Sequence, residues 1–433
     1  MDRIWSTELV QHVGERVRLA GWLHRLRKLS SVCFLVLRDS KGLAQIVIDD
    51  PDSIIQLEQF YHESVLIVEG LVVAEPQAPG GIEIHHPVFE LLAQPSEPPP
   101  IDLFRPRLKA HLPTILDHAS LTLRHPYHRA LFRLASASMA GFRAALGALG
   151  FVEIQTPKII SSASESGANV FALDYFGRTA YLAQSPQLYK QIMVGVFERV
   201  FEVGPVFRAE PHATTRHLNE YVSLDLEMGF IRDHHEVMAV LTQVLTTMIN
   251  TIQTEAADVL AVLNVALPQV PEKIPCVFFS DAQDMLSKAT GEDVRGEPDL
   301  APAHEIWLGQ WALREYGSDF LFVEGYPMSK RPFYTHPNPS RPTYSNSFDL
   351  LFRGLELVTG GQRLHLYDDY LAVLAAKRME SEPLAGYLEA FKYGMPPHGG
   401  CAIGLERWVA QLVGAQNVRE TTLFPRDLHR LTP

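Results

Sequence analysis

The densest group of polar side chains lies between positions 206 and 220, in a loop that joins two apolar segments. The loop carries two arginines, two histidines and two glutamates, more charge than a purely structural connection needs. Arg208 is suited to hold an α-phosphate, and Arg216 and His217 to reach the outer phosphates. Glu210 is suited to accept a hydrogen bond from an adenine amino group. Because cations placed where negative charge develops assist attack on phosphorus, the loop predicts a nucleotide site.

Two later segments carry residues of complementary chemistry. In the segment 347–363, Glu356 and Thr359 offer oxygen ligands of the kind that Mg²⁺ prefers. In the segment 398–410, a glycine-marked strand runs into a helix at Arg407. There the guanidinium and the helix N-terminus would face the same anion. Either segment alone is more often structural, but the three in this order favour a site for ATP and Mg²⁺.

Neither common glycine-rich phosphate loop is present, because the sequence has no G-x-x-x-x-G-K-[ST] and no G-x-G-x-x-G between a strand and a helix. Any ATP is therefore expected to be held by another arrangement, built from the arginines above.

The elements that must position these residues fall into two regions. Residues 15–93 read as about five short strands separated by glycines, which predicts a small barrel of the OB type. The prolines at 95 and 98–100 mark a boundary. From position 121, helices and strands are mixed, which indicates an α+β region with an antiparallel sheet. We predict an OB-fold domain at 1–95, a hinge at 96–120 and a second, α+β domain at 121–433.

The composition sets limits on location and partners. The chain has 433 residues and a formal net charge of −12, so a general affinity for nucleic acid is not expected. One local exception lies between positions 16 and 41, where seven basic residues face one acidic residue. There is no long apolar run and no signal-peptide pattern, and the three cysteines are far apart. We expect a cytoplasmic protein with no membrane segment.

Three segments of the sequence resemble motifs 1, 2 and 3 of the class II aminoacyl-tRNA synthetases. The helix ending near Gly150 with Phe151–Pro157 resembles motif 1, the hairpin 207–227 resembles motif 2, and Gly404–Arg407 with its helix resembles motif 3. An OB barrel before such a core is similar to the group that charges aspartate, asparagine or lysine. The resemblance implies a fold of α+β class, with an N-terminal OB-fold barrel and a class II core whose antiparallel sheet is flanked by helices. It also implies a homodimer, with Arg208, Glu356 and Arg407 as catalytic residues.

The stretch Gln184–Gln191 resembles the aspartyl enzymes, in particular their archaeal-type branch. By this resemblance, Lys190 and Arg363 would bind the side-chain carboxylate of L-aspartate, and Glu165 and Gln187 would hold its α-amino group. Glu356 and Thr359 would position Mg²⁺, and Arg407 would contact the γ-phosphate of ATP.

The barrel would bind the tRNA anticodon. By resemblance, Phe34 would stack on a base, Gln45 would read the central uracil, and Glu83 is a weaker candidate. Strictly specific relatives carry Trp and Lys where this chain has His24 and Pro79. The resemblance therefore implies that the enzyme charges both tRNA(Asp) and tRNA(Asn). A separate tRNA-dependent amidotransferase would then convert the second product.

Four alternatives stay open at this point. The first is an aspartyl enzyme that is strictly specific for tRNA(Asp). The second is an asparaginyl-tRNA synthetase, which the presence of Lys190 disfavours. An asparagine synthetase built on the same core typically lacks the barrel. A non-catalytic RNA-binding paralogue usually loses a motif arginine, whereas Arg208 and Arg407 are both present.

Overall fold

The computed structural model describes residues 2–29, 32–161 and 170–432. They form two compact units, Met1–His125 and Pro126–Pro433. The segment 96–120, which the prolines mark as a hinge, lies within the first unit. Among the described residues, none of the helices is both long enough and apolar enough to cross a bilayer.

The first unit is built on a closed five-stranded barrel with the strand order β1-β2-β3-β5-β4. Its elements are β1 (Arg16–Leu29), β2 (Val32–Arg38), β3 (Leu43–Ile48), α1 (Pro51–Glu58), β4 (Val65–Ala74), β5 (Ile82–Ala93), α2 (Leu112–Asp117) and α3 (Ala119–Thr122), with 3-10 turns at Ser6–His12 and Pro79–Gly81. Strand β2 shows the reason for closure, since Cys33, Leu35 and Leu37 are buried in the barrel while the residues between them are half-exposed. Helix α1 begins where Asp50 accepts a hydrogen bond from the Ser53 amide and Pro51 occupies the first turn. The predicted OB-type barrel is confirmed.

The second unit is built around a mixed sheet with the order β12-β13-β14-β15-β16-β11-β10-β6. Its elements are α4 (Pro126–Ala148), β6 (Val152–Glu153), β7 (Ile159–Ile160), β8 (Ala172–Tyr175), β9 (Arg178–Leu182), α5 (Gln187–Phe197), β10 (Arg199–Phe207), β11 (Glu220–Gly229), α6 (His234–Glu255), α7 (Ala257–Leu263), β12 (Cys276–Phe278), α8 (Phe279–Thr290), α9 (Pro302–Tyr316), β13 (Phe320–Glu324), β14 (Ser347–Phe352), β15 (Leu355–Gln362), α10 (Tyr367–Lys377), α11 (Ala385–Lys392), β16 (His398–Gly404) and α12 (Leu405–Val413), with 3-10 turns at Met328–Lys330, Glu382–Leu384 and Val418–Thr421. Strands β7, β9 and β8 form a separate small sheet.

The main sheet is antiparallel except at its two edges, where β12 pairs with β13 and β6 with β10 in parallel. Strands β10 and β11 form a hairpin in register from Arg199 opposite Met228 to Phe207 opposite Glu220. The polar loop of the sequence is therefore the connection of this hairpin, as its flanking strand patterns predict.

Helices α4 and α6 contribute to the main apolar core that packs with the sheet. They approach closely at Gly141, where a Cβ atom would lie 2.7 Å from the Met248 Cα atom. Helix α12 is tied to α4 through a hydrogen bond of 3.0 Å from Trp408 Nε1 to Ser138 Oγ. This packing fixes α12, the helix that carries Arg407 in its first turn, against the sheet, and it completes the α+β architecture that the sequence predicts.

Candidate active site and anticodon-binding face

A cavity of about 400 Å³ in the second unit collects the predicted nucleotide and amino-acid residues. Its walls come from α5, the β10–β11 loop and the central strands β11, β15 and β16. The predicted residues that line it are Gln187, Lys190, Arg208, Glu210, Arg216, His217, Glu356, Thr359, Arg363 and Arg407. Glu165, the remaining predicted residue of this group, lies outside the described residues.

The hairpin loop is held by its own backbone. The Arg208 amide donates to the Asn219 carbonyl at 2.9 Å, and the Asn219 side chain donates back to the Arg208 carbonyl at 2.6 Å. Glu210 lies 4.0 Å from the Arg208 guanidinium and 3.4 Å from the His217 imidazole. These contacts bring the Arg208 guanidinium and the His217 imidazole close to the Glu210 carboxylate. Such a group is suited to bind a nucleotide.

A second polar chain crosses the cavity toward β15. Arg216 Nη2 lies 2.8 Å from Glu305 Oε2, which also accepts from the Glu356 amide at 3.0 Å. Arg407 Nη1 donates to the Glu356 carbonyl at 3.2 Å. The motif arginines of the loop and of α12 are thus joined through two glutamates. Sequence analysis missed Glu305, because a single glutamate in the amphipathic helix α9 gives no signal of a site.

The predicted metal donors lie side by side on β15. Thr359 Oγ1 is 3.3 Å from Glu356 Oε1. Burial raises the pKa of the neighbouring Asp349 carboxyl to about 6, although Arg331 opposes this, and the negative charge of Glu356 adds to the rise. A carboxylate, a hydroxyl and a second carboxylate nearby form a hard oxygen set that fits Mg²⁺.

At the opposite side of the cavity, two cations and two carboxylates are buried together. Lys190 Nζ lies 3.1 Å from Asp225 Oδ1 and 3.3 Å from Glu227 Oε2. Arg363 donates through Nε to Glu227 at 2.9 Å, and through Nη2 to the same carboxylate at 3.3 Å and to the Gly400 carbonyl at 2.9 Å. A Cβ atom at Gly400 would lie 2.2 Å from the Glu227 carboxylate, so only glycine leaves room for this pair.

In this buried group, the carboxylates stabilise the charged form of the cations, and the cations stabilise the charged form of Glu227. Burial opposes the charge of Lys190, but Asp225 and Glu227 outweigh it and raise the Lys190 pKa above its ordinary value. Burial likewise opposes ionisation of Glu227, but Arg363 and Lys190 lower its pKa. Both groups are therefore charged at neutral pH. Asp225 and Glu227 were not predicted, because the sequence pattern of a strand does not show which cation a carboxylate will contact in the folded protein.

Two polar groups of this wall have capacity left for a ligand. Among the described residues, the buried Gln187 Nε2 atom has no hydrogen-bond partner. No partner among those residues is found for Arg363 Nη1 either, whereas its other nitrogens donate to Glu227 and Gly400. Because a buried donor without an acceptor is costly, Gln187 Nε2 is suited to meet a substrate oxygen, and Arg363 Nη1 remains available for another.

A further arginine in the cavity was missed by sequence analysis. Arg331 Nη2 lies 3.0 Å from Asp349 Oδ1, and its guanidinium is 4.2 Å from the Tyr326 ring centroid. It follows the turn Met328–Lys330, whose sequence gives no reason to expect a site. The pair adds a fourth arginine to those that the sequence places around the nucleotide.

In the first unit, Phe34 and Gln45 belong to the outer face of the barrel. The Phe34 ring is half-buried and lies 5.6 Å from the Arg27 guanidinium. Gln45, on the neighbouring strand, donates to Glu83 at 3.1 Å, and the His85 imidazole holds the same carboxylate at 2.7 Å. An accessible aromatic ring beside arginine and amide groups is suited to single-stranded RNA.

His24 and Pro79 have different surroundings. Pro79 is exposed in the turn Pro79–Gly81 between β4 and β5. His24 is only 7% exposed and occupies an irregularity in the pairing of β1 with β2, where its Nδ1 atom lies 3.3 Å from Arg38 Nη1. Burial and the nearby Arg38 lower the His24 pKa to about 4, so the imidazole is neutral at pH 7.

Arg38 is itself fixed in a buried ion pair. Its guanidinium donates to both oxygens of Glu63 at 2.7 and 2.8 Å, and Arg124 Nη1 lies 3.2 Å from the same carboxylate. Burial opposes ionisation of Glu63, but the two arginines lower its pKa. The predicted anticodon residue His24 is therefore a neighbour of a rigid charged cluster rather than an exposed side chain.

Comparison with known proteins agrees with this geometry. Residues 111–428 match the family of class II tRNA synthetases (D, K and N), and residues 17–92 match the OB-fold nucleic acid binding domain. The aspartate–tRNA(Asp/Asn) ligase of Thermus thermophilus is 46% identical over 431 residues, covering 100% of both chains. The aspartate–tRNA(Asp) ligase of Pyrococcus abyssi is 37% identical, covering 99% of both chains.

Solved structures give the same group. Asparaginyl-tRNA synthetase from Pyrococcus horikoshii, complexed with asparaginyl-adenylate, superposes with a TM-score of 0.93 at 30% identity, covering 100% of both chains. The aspartyl-tRNA synthetase of Entamoeba histolytica has a TM-score of 0.89 at 31% identity and covers 100% of this chain and 93% of its own. Because aspartyl and asparaginyl enzymes share the fold, the fold alone does not select the amino acid. The family match and the site together establish that the chain belongs to the class II aminoacyl-tRNA synthetases of the aspartate, lysine and asparagine group.

Proposed function

We propose that this enzyme activates L-aspartate with ATP and attaches it to both tRNA(Asp) and tRNA(Asn). The observation that carries the proposal is the cavity itself. It is lined by Arg208, Arg216 and Arg407, which are suited to bind phosphate, by the oxygen donors Glu356 and Thr359, and by the cations Lys190 and Arg363. The aspartate–tRNA(Asp/Asn) ligases among the relatives support the choice of amino acid and tRNA.

The first step joins aspartate to the nucleotide. A carboxylate oxygen of aspartate attacks the α-phosphorus of ATP in line, and the bond to the β-phosphate oxygen breaks to release pyrophosphate. Arg208 neutralises charge at the α-phosphate, while Arg216, His217 and Arg407 hold the outer phosphates. Glu356 and Thr359 would hold Mg²⁺, which would supply further positive charge for this step.

In the second step, a hydroxyl of the terminal tRNA ribose attacks the activated carbonyl carbon. An ester bond forms, and AMP leaves with the electron pair of the broken bond. The side chains of the cavity contribute mainly by placing the reacting groups and by stabilising charge.

Selection of aspartate over asparagine follows from charge. Arg363 Nη1 offers donors to the substrate side chain, and Lys190 adds positive charge behind it. An asparagine amide would turn its NH₂ group toward these donors, or would leave them without an acceptor, which is unfavourable in a buried site. Gln187 Nε2 is placed to hold another polar group of the amino acid.

The experiment that tests the proposal compares two tRNA transcripts, one with each anticodon, at equal concentration with Mg²⁺ and ATP. Each is offered separately with labelled aspartate and with labelled asparagine. Aspartylation of both at comparable rates is expected. Aspartylation of tRNA(Asp) alone would refute dual specificity and leave the activation step intact, whereas attachment of asparagine would overturn the choice of amino acid.

Three accompanying features belong to the same proposal. The enzyme acts in the cytoplasm as a homodimer through the motif 1 region, helix α4 and strand β6, whose Val152 is 39% exposed. Aspartyl-tRNA(Asn) is passed to a tRNA-dependent amidotransferase. Light scattering of the purified protein tests the dimer, and a mass of one chain would refute it.

A further inference from the structure

The loop that joins β10 to β11, residues 208–219, is described throughout and contains neither a helix nor a strand. Arg216 and His217, which we propose to hold the outer phosphates, lie on the arm that returns to β11. Thr214 and Thr215, just before them, are exposed. Because an exposed loop without regular structure opens easily, the position of these cations depends on contacts that reach the loop from outside.

The C-terminal segment 417–430 supplies two such contacts to the returning arm. The Val418 amide donates to the Thr215 carbonyl at 2.9 Å. The Nη1 atom of Arg419 donates to the Thr214 carbonyl, also at 2.9 Å. Both contacts hold the backbone of the loop, which leaves the side chains that follow free to face the cavity.

A third contact lies where the loop enters β11. The Asn219 amide donates to the Arg426 carbonyl at 2.8 Å. The Asn219 side chain donates in turn to the Arg208 carbonyl at 2.6 Å. The C-terminal segment therefore supports the returning arm directly and the outgoing arm, which carries Arg208, through Asn219.

Arg419 is fixed from its other side by a buried aspartate. Its Nε atom donates to Asp427, and the two side chains are 11% and 8% exposed. Asp427 Oδ1 also accepts from the His429 and Arg430 amides at 2.7 and 2.9 Å. Burial opposes ionisation of Asp427, but its hydrogen bond with Arg419 lowers its pKa below the ordinary value. Because a guanidinium carries its donors in one rigid plane, Arg419 ties the Thr214 carbonyl to this anchored turn.

The same segment is attached to the start of α12. Thr421 is 4% exposed, and its Oγ1 atom donates to the Glu406 carbonyl at 3.0 Å. Glu406 directly precedes Arg407 in the sequence. Val418, which belongs to the same 3-10 turn as Thr421, lines the cavity. The segment thus connects the polar loop with the helix that carries Arg407.

We propose that residues 417–430 form a C-terminal strap that sets the spacing between the phosphate-binding cations of the loop and Arg407, with Arg419 as its positioning residue. Arg419 does not line the cavity, so it acts through the backbone of the loop. The inference rests on the proposed function, in which Arg216, His217 and Arg407 hold the outer phosphates of ATP.

The first test measures order in the loop without any substrate. Hydrogen exchange of the full-length protein is followed by mass spectrometry of peptides that cover residues 208–219. In Arg419→Met the amides of the loop are expected to exchange at least about tenfold faster than in the wild type, because the loop opens more often. The matched control is Arg295→Met, which removes another arginine–aspartate pair, with Asp284 at 2.6 Å, that is about half-exposed. This control is expected to leave exchange of the loop unchanged.

The second test separates positioning of ATP from general stability. Pyrophosphate exchange in Arg419→Met is expected to show a KM for ATP raised about tenfold, because a hydrogen bond from a charged donor to the loop is lost. The KM for aspartate is expected to change less than about twofold, since Lys190 and Arg363 lie at the opposite side of the cavity. Destabilisation alone would lower the active fraction and leave both KM values unchanged. Arg419→Lys is expected to restore part of the affinity for ATP, because an ammonium group reaches one of the two acceptors.

Two outcomes overturn the proposal. One is unchanged exchange of the loop amides in Arg419→Met, and the other is an equal rise in KM for ATP and for aspartate. Asp427→Asn keeps the test decisive if Arg419→Met does not fold, because it retains an acceptor for the two backbone amides while it removes the charge that holds Arg419. If the wild type showed no pyrophosphate exchange with aspartate, the proposed function would fail. The hydrogen-exchange measurement would still decide whether the strap orders the loop.

Discussion

The Nζ atom of Lys190 lies 3.1 Å from Oδ1 of Asp225, and both side chains are 2% exposed. The sequence predicts that Lys190 binds the carboxylate of the substrate, but in the structure its ammonium group already has protein partners. Glu227 lies 3.3 Å from it, and the Leu226 carbonyl accepts at 3.3 Å. We infer that Lys190 holds positive charge in the cavity wall, and that Arg363 Nη1 makes the nearer contact to aspartate.

Replacement of Lys190 is therefore expected to destabilise the protein as well as to weaken aspartate binding. Lys190→Met leaves Asp225 and Glu227 buried with one counterion fewer, and breaking a buried ion pair in this way costs about 3–5 kcal/mol. Urea unfolding measures the loss. The control is Lys28→Met, because Lys28 forms an exposed pair with Glu58 and its removal costs less than about 1 kcal/mol. Equal losses in the two variants would show that the buried pairs contribute little.

Arg363→Gln is expected to change the choice of amino acid. The variant loses the guanidinium donors that face the substrate carboxylate, while Lys190 stays near Glu227. We expect kcat/KM for aspartate to fall at least about a hundredfold, which is about 3 kcal/mol, and kcat/KM for asparagine to fall less. Pyrophosphate exchange with each amino acid measures both values. A parallel fall for aspartate and asparagine would show that Arg363 supports the fold of the site without selecting the side chain.

Glu406 gives a pH dependence of stability. Burial raises its pKa to about 7 from an ordinary value of 4.5, although the Val222 amide donates to it at 3.0 Å. Between these two pH values the folded protein binds a proton that the unfolded chain has lost, so its stability falls as pH rises from 4.5 to 7. Glu406→Gln removes this slope. Relative to the wild type, the variant should gain about 3 kcal/mol between pH 4 and pH 8.

Guanidinium unfolding at several pH values measures that difference. A variant with the same pH profile as the wild type would show that Glu406 is ionised in the folded protein at little cost. Glu406→Gln retains an acceptor for the Val222 amide, so loss of that hydrogen bond does not account for the expected change.

The polar residues of the catalytic cavity were largely predictable from the sequence. Arg208, Glu356 and Arg407 lie in short motifs that belong to one hairpin, one strand and one strand–helix junction. Each of these local structures can be predicted from neighbouring residues, so the motif residues could be assigned to one site. The barrel was predictable for a similar reason, because alternation in a strand such as β2 records which face is buried.

The partners supplied by distant parts of the chain were not predictable. Glu305 reaches Arg216 from helix α9, and Asp349 reaches Arg331 across a turn. Each contact depends on tertiary packing that single-residue patterns do not encode. His24 shows the same limit, since strand alternation gives no sign that an irregular pairing turns its side chain toward Arg38.

The buried cluster of the first unit predicts unequal roles for two arginines that contact the same carboxylate. Arg38→Met is expected to destabilise this unit by about 3–5 kcal/mol, because Arg38 and Glu63 are 2% and 3% exposed. Arg124 is 44% exposed at its contact with Glu63, so Arg124→Met should cost less than about 1 kcal/mol. Thermal unfolding compares the two variants. A larger loss from Arg124→Met would show that the contact after α3, rather than Arg38, keeps Glu63 charged.

The specificity for tRNA is expected to change when His24 and Pro79 are replaced together. Tryptophan is larger than the space that the buried imidazole occupies beside Arg38, so His24→Trp must shift this part of the barrel. Pro79→Lys adds a cation to an exposed turn. We expect the ratio of kcat/KM for tRNA(Asp) to that for tRNA(Asn) to rise about tenfold or more, which is about 1.4 kcal/mol.

Aminoacylation of the two transcripts measures this ratio. The matched control is His24→Trp with Gln77→Lys, which places the same charge in the same exposed loop; an equal rise in this control would assign the effect to general attraction of RNA rather than to position 79. An unchanged ratio in the first variant would show that neither residue distinguishes the two anticodons.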